Sequence, residues 1–373
     1  MTGAGTASPT GYDEVRAVHT AFPASVRRAI REAIDAFDLG GMALAVARGD
    51  RPAECLVVGD DPNGQPLRVD SLFPVASVTK LATALAVLRP ASARRLDVHD
   101  PLERHLPDAL ASASGVTLPM LFTHTSGLPA DHPEELAPYR DGMDWPLLAR
   151  AYLRTPLAEP PRTSVSYSNV GYGLLAIVAE RCSGLPFPRA LRALVLDPLG
   201  IEGYLGAEPP RSVVPIADVR GRHVGTWYES INSHFWRSIG RPSGGLITTV
   251  SGALALVRAY RGVPNGFLSA ALLAEATRDQ TGGLSGGISG FSAGPSYPWG
   301  LGPELRNGKE PYFAPAEASA HSFGHSGYSG SIVWADPDAD LAWALLAPRT
   351  MENGWLVEGG RSVGAAILAA NRG

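Results

Sequence analysis

Lysine is almost absent from this chain. Lys80 and Lys309 are the only two among 32 basic residues, and every other basic side chain is arginine. A lysine can shed its proton when buried and an arginine cannot. A lysine set in an apolar stretch is therefore a chemical candidate as well as a charge. Cysteine is equally scarce, with only Cys55 and Cys182. That leaves no disulfide framework, although a single bridge stays open. No apolar run is long enough to span a bilayer. Net charge is −4 with both signs dispersed, so neither a nucleic-acid footprint nor an acidic solvating tail is expected. The 9 histidines include no H-x-H or H-E-x-x-H spacing, which argues against a metal site. Residues 1–9 have neither a charged n-region nor an apolar h-region. The expectation is a soluble cytoplasmic protein that binds no membrane.

Apolar residues, in contrast, make up 45% of 373 positions, enough for a sizeable core. Residues 24–37 put Val26, Ile30, Ile34 and Phe37 on one helical face, with Gly40-Gly41 ending the pattern. Residues 42–47 and 56–58 read as strands around a turn at 48–52. The first is apolar on both faces, so cover on both is expected. Residues 96–102 read as a turn with Asp caps, and 117–122 as a short helix. Helical periodicity recurs at 169–182, where Gly184 closes it, at 187–196 and at 249–260. Residues 205–245 are irregular and aromatic, and 281–296 read as a mobile Gly/Ser loop. Strands return at 331–335 and 341–346 around Asp336-Pro337-Asp338, and a helix closes the chain at 360–370. Strands at both ends of a helical middle predict an α/β (α+β) fold. One antiparallel sheet is built from both termini and flanked by helices, with an all-helical region inserted. The expected layout is a loose segment 1–20, a sandwich part 21–75 and 296–373, and a mostly helical part 76–295. Together these make one domain.

The chemistry centres on Ser77-Val78-Thr79-Lys80, which opens the apolar run 81–88. A Ser and a Lys three apart at a helix start lie on one face, about one turn apart. The serine N–H points out of the helix N-terminus, available as an oxyanion donor. Nucleophile, proton acceptor and one oxyanion donor thus fall within four residues. Two further stretches fit. Tyr167-Ser168-Asn169 stands at a helix start, where a phenol can pass a proton and an amide can bond Lys80 and a substrate carbonyl. His325-Ser326-Gly327 precedes the strand at Ser331, where a glycine lets substrate lie along the strand edge. The N–H of Tyr328 is the candidate second oxyanion donor. Trp227 and Tyr228, in the irregular aromatic stretch, are the candidate wall of an acyl or acceptor pocket.

In these three signatures the sequence resembles the serine β-lactamase and penicillin-binding-protein superfamily. The nearest branch is that of class C β-lactamases, D-amino-acid peptidases, esterases and acyltransferases. Ser77 and Lys80 match Ser-x-x-Lys, Tyr167 and Asn169 match Tyr-x-Asn, and His325-Ser326-Gly327 matches His-x-Gly. Thr123-His124-Thr125-Ser126-Gly127-Leu128, Pro198-Leu199-Gly200, Ser243-Gly244-Gly245 and Asp336-Pro337 follow in order, so the resemblance spans residues 20–370. It implies the β-lactamase/transpeptidase-like fold and an acyl-serine intermediate formed without a cofactor. One departure matters. His325 stands where many members acting on β-lactams or peptides carry Lys. A histidine is mostly neutral at pH 7 and makes no permanent seat for a substrate carboxylate.

The resulting expectation is a serine hydrolase or acyltransferase. It takes an ester or amide acyl donor, with water or a small amine or alcohol as acceptor, and works in intracellular (specialised) metabolism. A β-lactamase or D,D-peptidase is the alternative. An acylation sensor that turns over once or not at all is the alternative of another class. Gly290-Phe291-Ser292-Ala293-Gly294 also matches G-x-S-x-G, but it lacks the strand before and the helix after that this motif requires. His124 reads as a structural histidine in a turn. Ser77→Ala is accordingly expected to lower ester turnover by roughly 10³-fold or more, while Ser292→Ala keeps most of it. Steady-state hydrolysis of a p-nitrophenyl ester checks both, and the reverse pattern would move the nucleophile to Ser292.

Overall fold

The computed structural model describes residues 22–306 and 313–372. The segment 1–20, expected to be loose, and Lys309 lie outside the described residues. Six strands form an antiparallel sheet. In spatial order they are Glu54–Gly59, Gly41–Arg48, Leu341–Leu346, Ser331–Asp336, Phe323–Gly327 and Glu304–Leu305. The early hairpin joins the late strands through a register running from Ala43↔Leu346 to Arg48↔Leu341. That long-range pairing closes the chain on itself.

Alternation of side-chain size sets what lies on each face, because successive strand residues point to opposite sides. One face carries Ala43, Ala45, Ala47, Ala335, Ala342 and Ala344, all buried. Small side chains let the helix Val250–Ala259 lie close against the sheet. The other face carries Leu44, Trp334, Trp343 and Leu345, which pack with helices Ala24–Phe37 and Arg361–Arg372. The strand Gly41–Arg48 is buried at every position but its last, so its cover on both faces is observed.

The helical region is organised around two helices that are apolar all round. Thr79–Ser92 is buried at every position from 79 to 88, and Asn169–Ser183 at every position from 170 to 179. Helices with no polar face are stable only inside a protein, and these two pack side by side. Shorter helices, Leu118–Phe122, Trp145–Arg154 and Phe187–Leu191, close around them.

Several elements differ from expectation. The first helix ends on Asp38, in the left-handed conformation at φ 50, two residues before the glycines thought to stop it. The helix Trp145–Arg154 was not anticipated, although its start carries the signals of one. Asp144 caps the Leu147 N–H at 2.8 Å, and Pro146 sits in the first turn. The stretch 187–196 is an α-helix followed by a five-residue π segment. The loop expected at 281–296 contains a hairpin, Gly286–Ile288 with Ser292–Gly294, whose first strand pairs in parallel with Val165–Ser166. Glycine hides this pairing from a pattern search and also permits it. A Cβ on Gly286 would lie 2.1 Å from the Val165 carbonyl oxygen.

Gly173, in the middle of the Asn169 helix, shows how tightly the helices approach. A Cβ there would lie 2.1 Å from Cδ2 of Tyr152, itself fully buried. Gly173→Ala would gain roughly 0.5–1 kcal/mol of helix propensity. Overpacking against Tyr152 costs about 1–3 kcal/mol, so the clash decides the sign. Net destabilisation is expected, read as a lower urea midpoint with an unchanged slope.

Candidate active site

Ser77 lies in the single turn Ala76–Val78 that feeds the helix Thr79–Ser92. The preceding Ala76 has φ 42, a left-handed value rarely held by a residue with a Cβ. Ser77 is partly exposed while Lys80, one turn below, has no exposed surface. Lys80 Nζ stands 3.3 Å from Ser77 Oγ, and donates to Asn169 Oδ1 at 2.8 Å and to the Ser243 carbonyl at 2.9 Å. The Tyr167 ring lies beneath it, 4.6 Å from Nζ to centroid. Burial drives the Lys80 ammonium well below the usual lysine range. The Asp131 carboxylate opposes that shift and the Arg241 guanidinium adds to it.

Tyr167 and Asn169 reach this point because a second segment brackets them. His124 accepts the Ser166 N–H on its carbonyl at 2.8 Å and the Ser168 N–H on Nδ1 at 3.0 Å. Ser168 Oγ donates to the Pro129 carbonyl at 2.6 Å, and the Asn169 N–H to the Ala130 carbonyl at 2.8 Å. The His124 ring packs on Tyr167 at 4.4 Å between centroids and meets Trp299 edge-on at 4.7 Å. Burial, then the charge of Lys80, pushes its imidazole well below the usual value. His124 is thus a neutral structural acceptor, as its place in a turn suggested. The Tyr167 phenol is hydrogen-bonded to Ser77. Loss of hydration raises it above its ordinary value, and the Ser77 bond works the other way.

The far wall is the strand Phe323–Gly327. Gly327 meets the nucleophile's turn so closely that a Cβ would lie 2.3 Å from the Val75 carbonyl oxygen and 3.2 Å from the Ser77 nitrogen. Ser331 Oγ ties the same turn to the sheet by donating to the Val75 carbonyl at 2.9 Å. The backbone N–H groups of Ser77 and Tyr328 donate to no acceptor among the described residues. Both residues line a pocket of about 230 Å³ with Tyr167, His325, Ser326, Met351 and the hairpin tip Ile288 to Phe291. A larger cleft of about 580 Å³ lies between residues 91–104 and 269–275, and Ser77 has no part in it.

The structure therefore brings together Ser77, Lys80, Tyr167, Asn169, His325, Ser326, Gly327 and Tyr328. It does not bring Trp227 or Tyr228 to the pocket. Trp227 is 59% exposed and packs on His234, and Tyr228 meets Phe235 edge-on at 4.9 Å. Tyr228 packs with Phe235 and Trp236 against the main core and not on the Ser77 pocket, so the aromatic wall placed there is corrected. The wall is built instead by Ile288, Phe291 and Met351. No local signal marked these, since the hairpin reads as Gly/Ser linker. Asp131 and Arg241 were missed as well. They form an ion pair at 2.8 Å beside Asn169.

Comparison with known proteins shows the family and the fold. The family model described as Beta-lactamase matches residues 26–358. Esterase EstB of Burkholderia gladioli is 32% identical over 301 residues, which is 71% of this chain and 74% of that protein. The D-alanyl-D-alanine-carboxypeptidase/endopeptidase AmpH of Escherichia coli is 30% identical over 171 residues, 43% of this chain and 44% of that one. The crystal structure of a beta-lactamase from Mycobacterium bovis superimposes with a TM-score of 0.65 at 26% identity, covering 92% of this chain and 99% of that one. The two buried helices, the antiparallel sheet and the pocket between them thus have the β-lactamase/transpeptidase-like fold, and the chain belongs to the Beta-lactamase family of serine hydrolases.

Proposed function

We propose that this protein is a serine esterase acting through an acyl-Ser77 intermediate on small uncharged esters. The observation that carries the reading is Lys80. It is fully buried, depressed in pKa and 3.3 Å from the Ser77 hydroxyl. A neutral amine at that distance accepts the Ser77 proton as Oγ bonds to the ester carbonyl carbon. The Ser77 and Tyr328 amides hold the oxyanion, a contribution of roughly 3 kcal/mol per donor in acyl-transfer enzymes. Tyr167, kept protonated by its raised pKa and bonded to Ser77, passes a proton to the leaving alkoxide as the C–O bond breaks. Tyr167 takes back the proton held by Lys80. Water then adds to the acyl carbonyl and gives a proton to Lys80, which returns it to Ser77 Oγ as the acyl–Oγ bond breaks. A small amine or alcohol in place of water makes the reaction a transfer. With the 227–236 aromatics away from the pocket, no acceptor seat supports transfer over hydrolysis.

The pocket supports an ester over a β-lactam or peptide carboxylate. Among the described residues no Lys or Arg lines it, and Ile288, Phe291, Tyr328 and Met351 make it largely apolar. Arg220, close to Tyr328, is engaged by Asp218 and Glu352. A short-chain p-nitrophenyl ester is therefore expected to exceed a penicillin and a D-Ala-D-Ala peptide in kcat/KM by roughly 10²-fold or more. Competition kinetics decide it, and intact-protein mass after each substrate reads the acyl group carried by Ser77. A higher kcat/KM for the penicillin would refute the ester assignment.

The role of Lys80 has a pH signature. The neutral amine is the active form, so kcat/KM should fall as pH drops through its depressed pKa. Lys80→Arg keeps the charge but cannot lose it, and is expected to cost about as much as Lys80→Ala, roughly 10²–10⁴-fold. Near-wild-type rates in Lys80→Arg would remove the proton-transfer role.

A further inference from the structure

The Lys80 amine has two fixed acceptors from separate parts of the chain, and one ion pair connects them. The first is Asn169 Oδ1. The Asn169 amide turns its Nδ2 to Asp131 Oδ2 at 3.3 Å. An ionised carboxylate only accepts, so Asp131 directs the NH₂ toward itself and leaves the oxygen facing Lys80. The second acceptor is the Ser243 carbonyl, in the segment that Arg241 begins. The Arg241 carbonyl accepts the Gly245 N–H at 2.8 Å. Two more bonds clip the segment to the Ser77 helix, from Thr83 Oγ1 to the Pro242 carbonyl at 2.6 Å and from the Leu246 N–H to Thr79 Oγ1 at 3.0 Å. Arg241 Nη2 then reaches across to Asp131 Oδ1 at 2.8 Å. The contacts form a closed ring: Lys80, Asn169, Asp131, Arg241, Ser243 and back to Lys80.

We propose that the Asp131–Arg241 ion pair is the positioning pair for Lys80, joining its Asn169 and Ser243 acceptors and setting the orientation of the Asn169 amide. The proposal rests on the acyl-enzyme reading only for its effect on rate. Both partners keep their charge. Asp131 is 46% exposed; its partial loss of hydration works to raise the carboxyl, but Arg241, His132 and Asn169 hold it at about 2. Burial also works against Arg241, and Asp131 more than restores it. The other polar groups facing Lys80 are the uncharged Ser77 hydroxyl, Tyr167, Tyr172 and the neutral His124, with His325 beyond Tyr167. The ion pair is thus the source of fixed full charge beside the amine. Its two members act on Lys80 with opposite sign.

With only two lysines in the chain, ¹³Cε-lysine labelling yields two NMR signals, which a Lys309→Arg variant assigns. The Lys80 titration midpoint is expected to fall in Asp131→Asn and to rise in Arg241→Gln, each by roughly half a pH unit or more. For a p-nitrophenyl ester, kcat should drop roughly tenfold or more in each, with KM nearly constant. The double variant should lose no more than the worse single one, since the pair acts as a unit. Arg241→Lys should recover part of the rate and keeps the test open if Arg241→Gln folds poorly. Unchanged midpoints in both variants, or losses that multiply in the double variant, overturn the proposal. If Ser77→Ala still acquires an acyl adduct, the acyl-enzyme reading fails instead, and the Lys80 titration still judges the ion pair.

Discussion

Everything at the candidate site depends on keeping one amine dry and held. A lysine with no exposed surface costs several kcal/mol unless it is neutral or well paired. Here both remedies are present. Two helices with no polar face, Thr79–Ser92 and Asn169–Ser183, lie together and exclude water from Lys80. Their N-termini end at the same place, so Lys80 and Asn169 meet across the seam at 2.8 Å. The apolar character of the two helices and the chemistry at their ends are one design. A polar stripe along either helix would admit water and return Lys80 to its ordinary charged state.

The stretch from His124 to Asp131 is the second constraint. It supplies no group that lines the Ser77 pocket, yet it accepts three backbone or hydroxyl donors from residues 166–169 and one more on the His124 ring. The Tyr167 ring, packed on His124, is thereby held where its phenol meets Ser77. The sheet contributes the third side. Gly327 closes against the Val75–Ser77 turn at a distance no side chain would permit. Helix ends, bracket and strand edge are three rigid parts, and functional groups on rigid parts keep their geometry. The hairpin tip at residues 288–291 is the most exposed part of the pocket wall, with Phe291 43% exposed.

How much of this was legible in the sequence depends on the range of the interaction. Ser77 and Lys80 are one helical turn apart, so their pairing follows from local geometry alone. The helix at 24–37 and the strands at 331–335 and 341–346 follow equally from periodicity. Tyr167, Asn169 and His325 were legible only through the order of three short signatures, because nothing local says that residues 77, 167 and 325 share a point in space. Trp227 and Tyr228 show the opposite case. Aromatic composition suggested a pocket wall, but those rings pack on their own neighbours. The actual wall came from a Gly/Ser stretch whose pairing with Val165–Ser166 leaves no alternating pattern to read.

The sequence by itself determined that one unusual lysine stands a turn after a serine at the head of an apolar helix. It also determined that strands from both ends bracket a helical middle. These are properties of neighbouring residues, set by helix pitch, strand alternation and side-chain chemistry. Tertiary structure alone decided which acceptors hold that lysine and which surfaces wall the pocket. Asn169, Ser243, Asp131 and Arg241 are 38 to 163 residues from their partners in the contacts that tie them to Lys80 or to one another. Such contacts arise from packing two buried helices and closing a sheet through its distant ends, and no local preference of the chain encodes them.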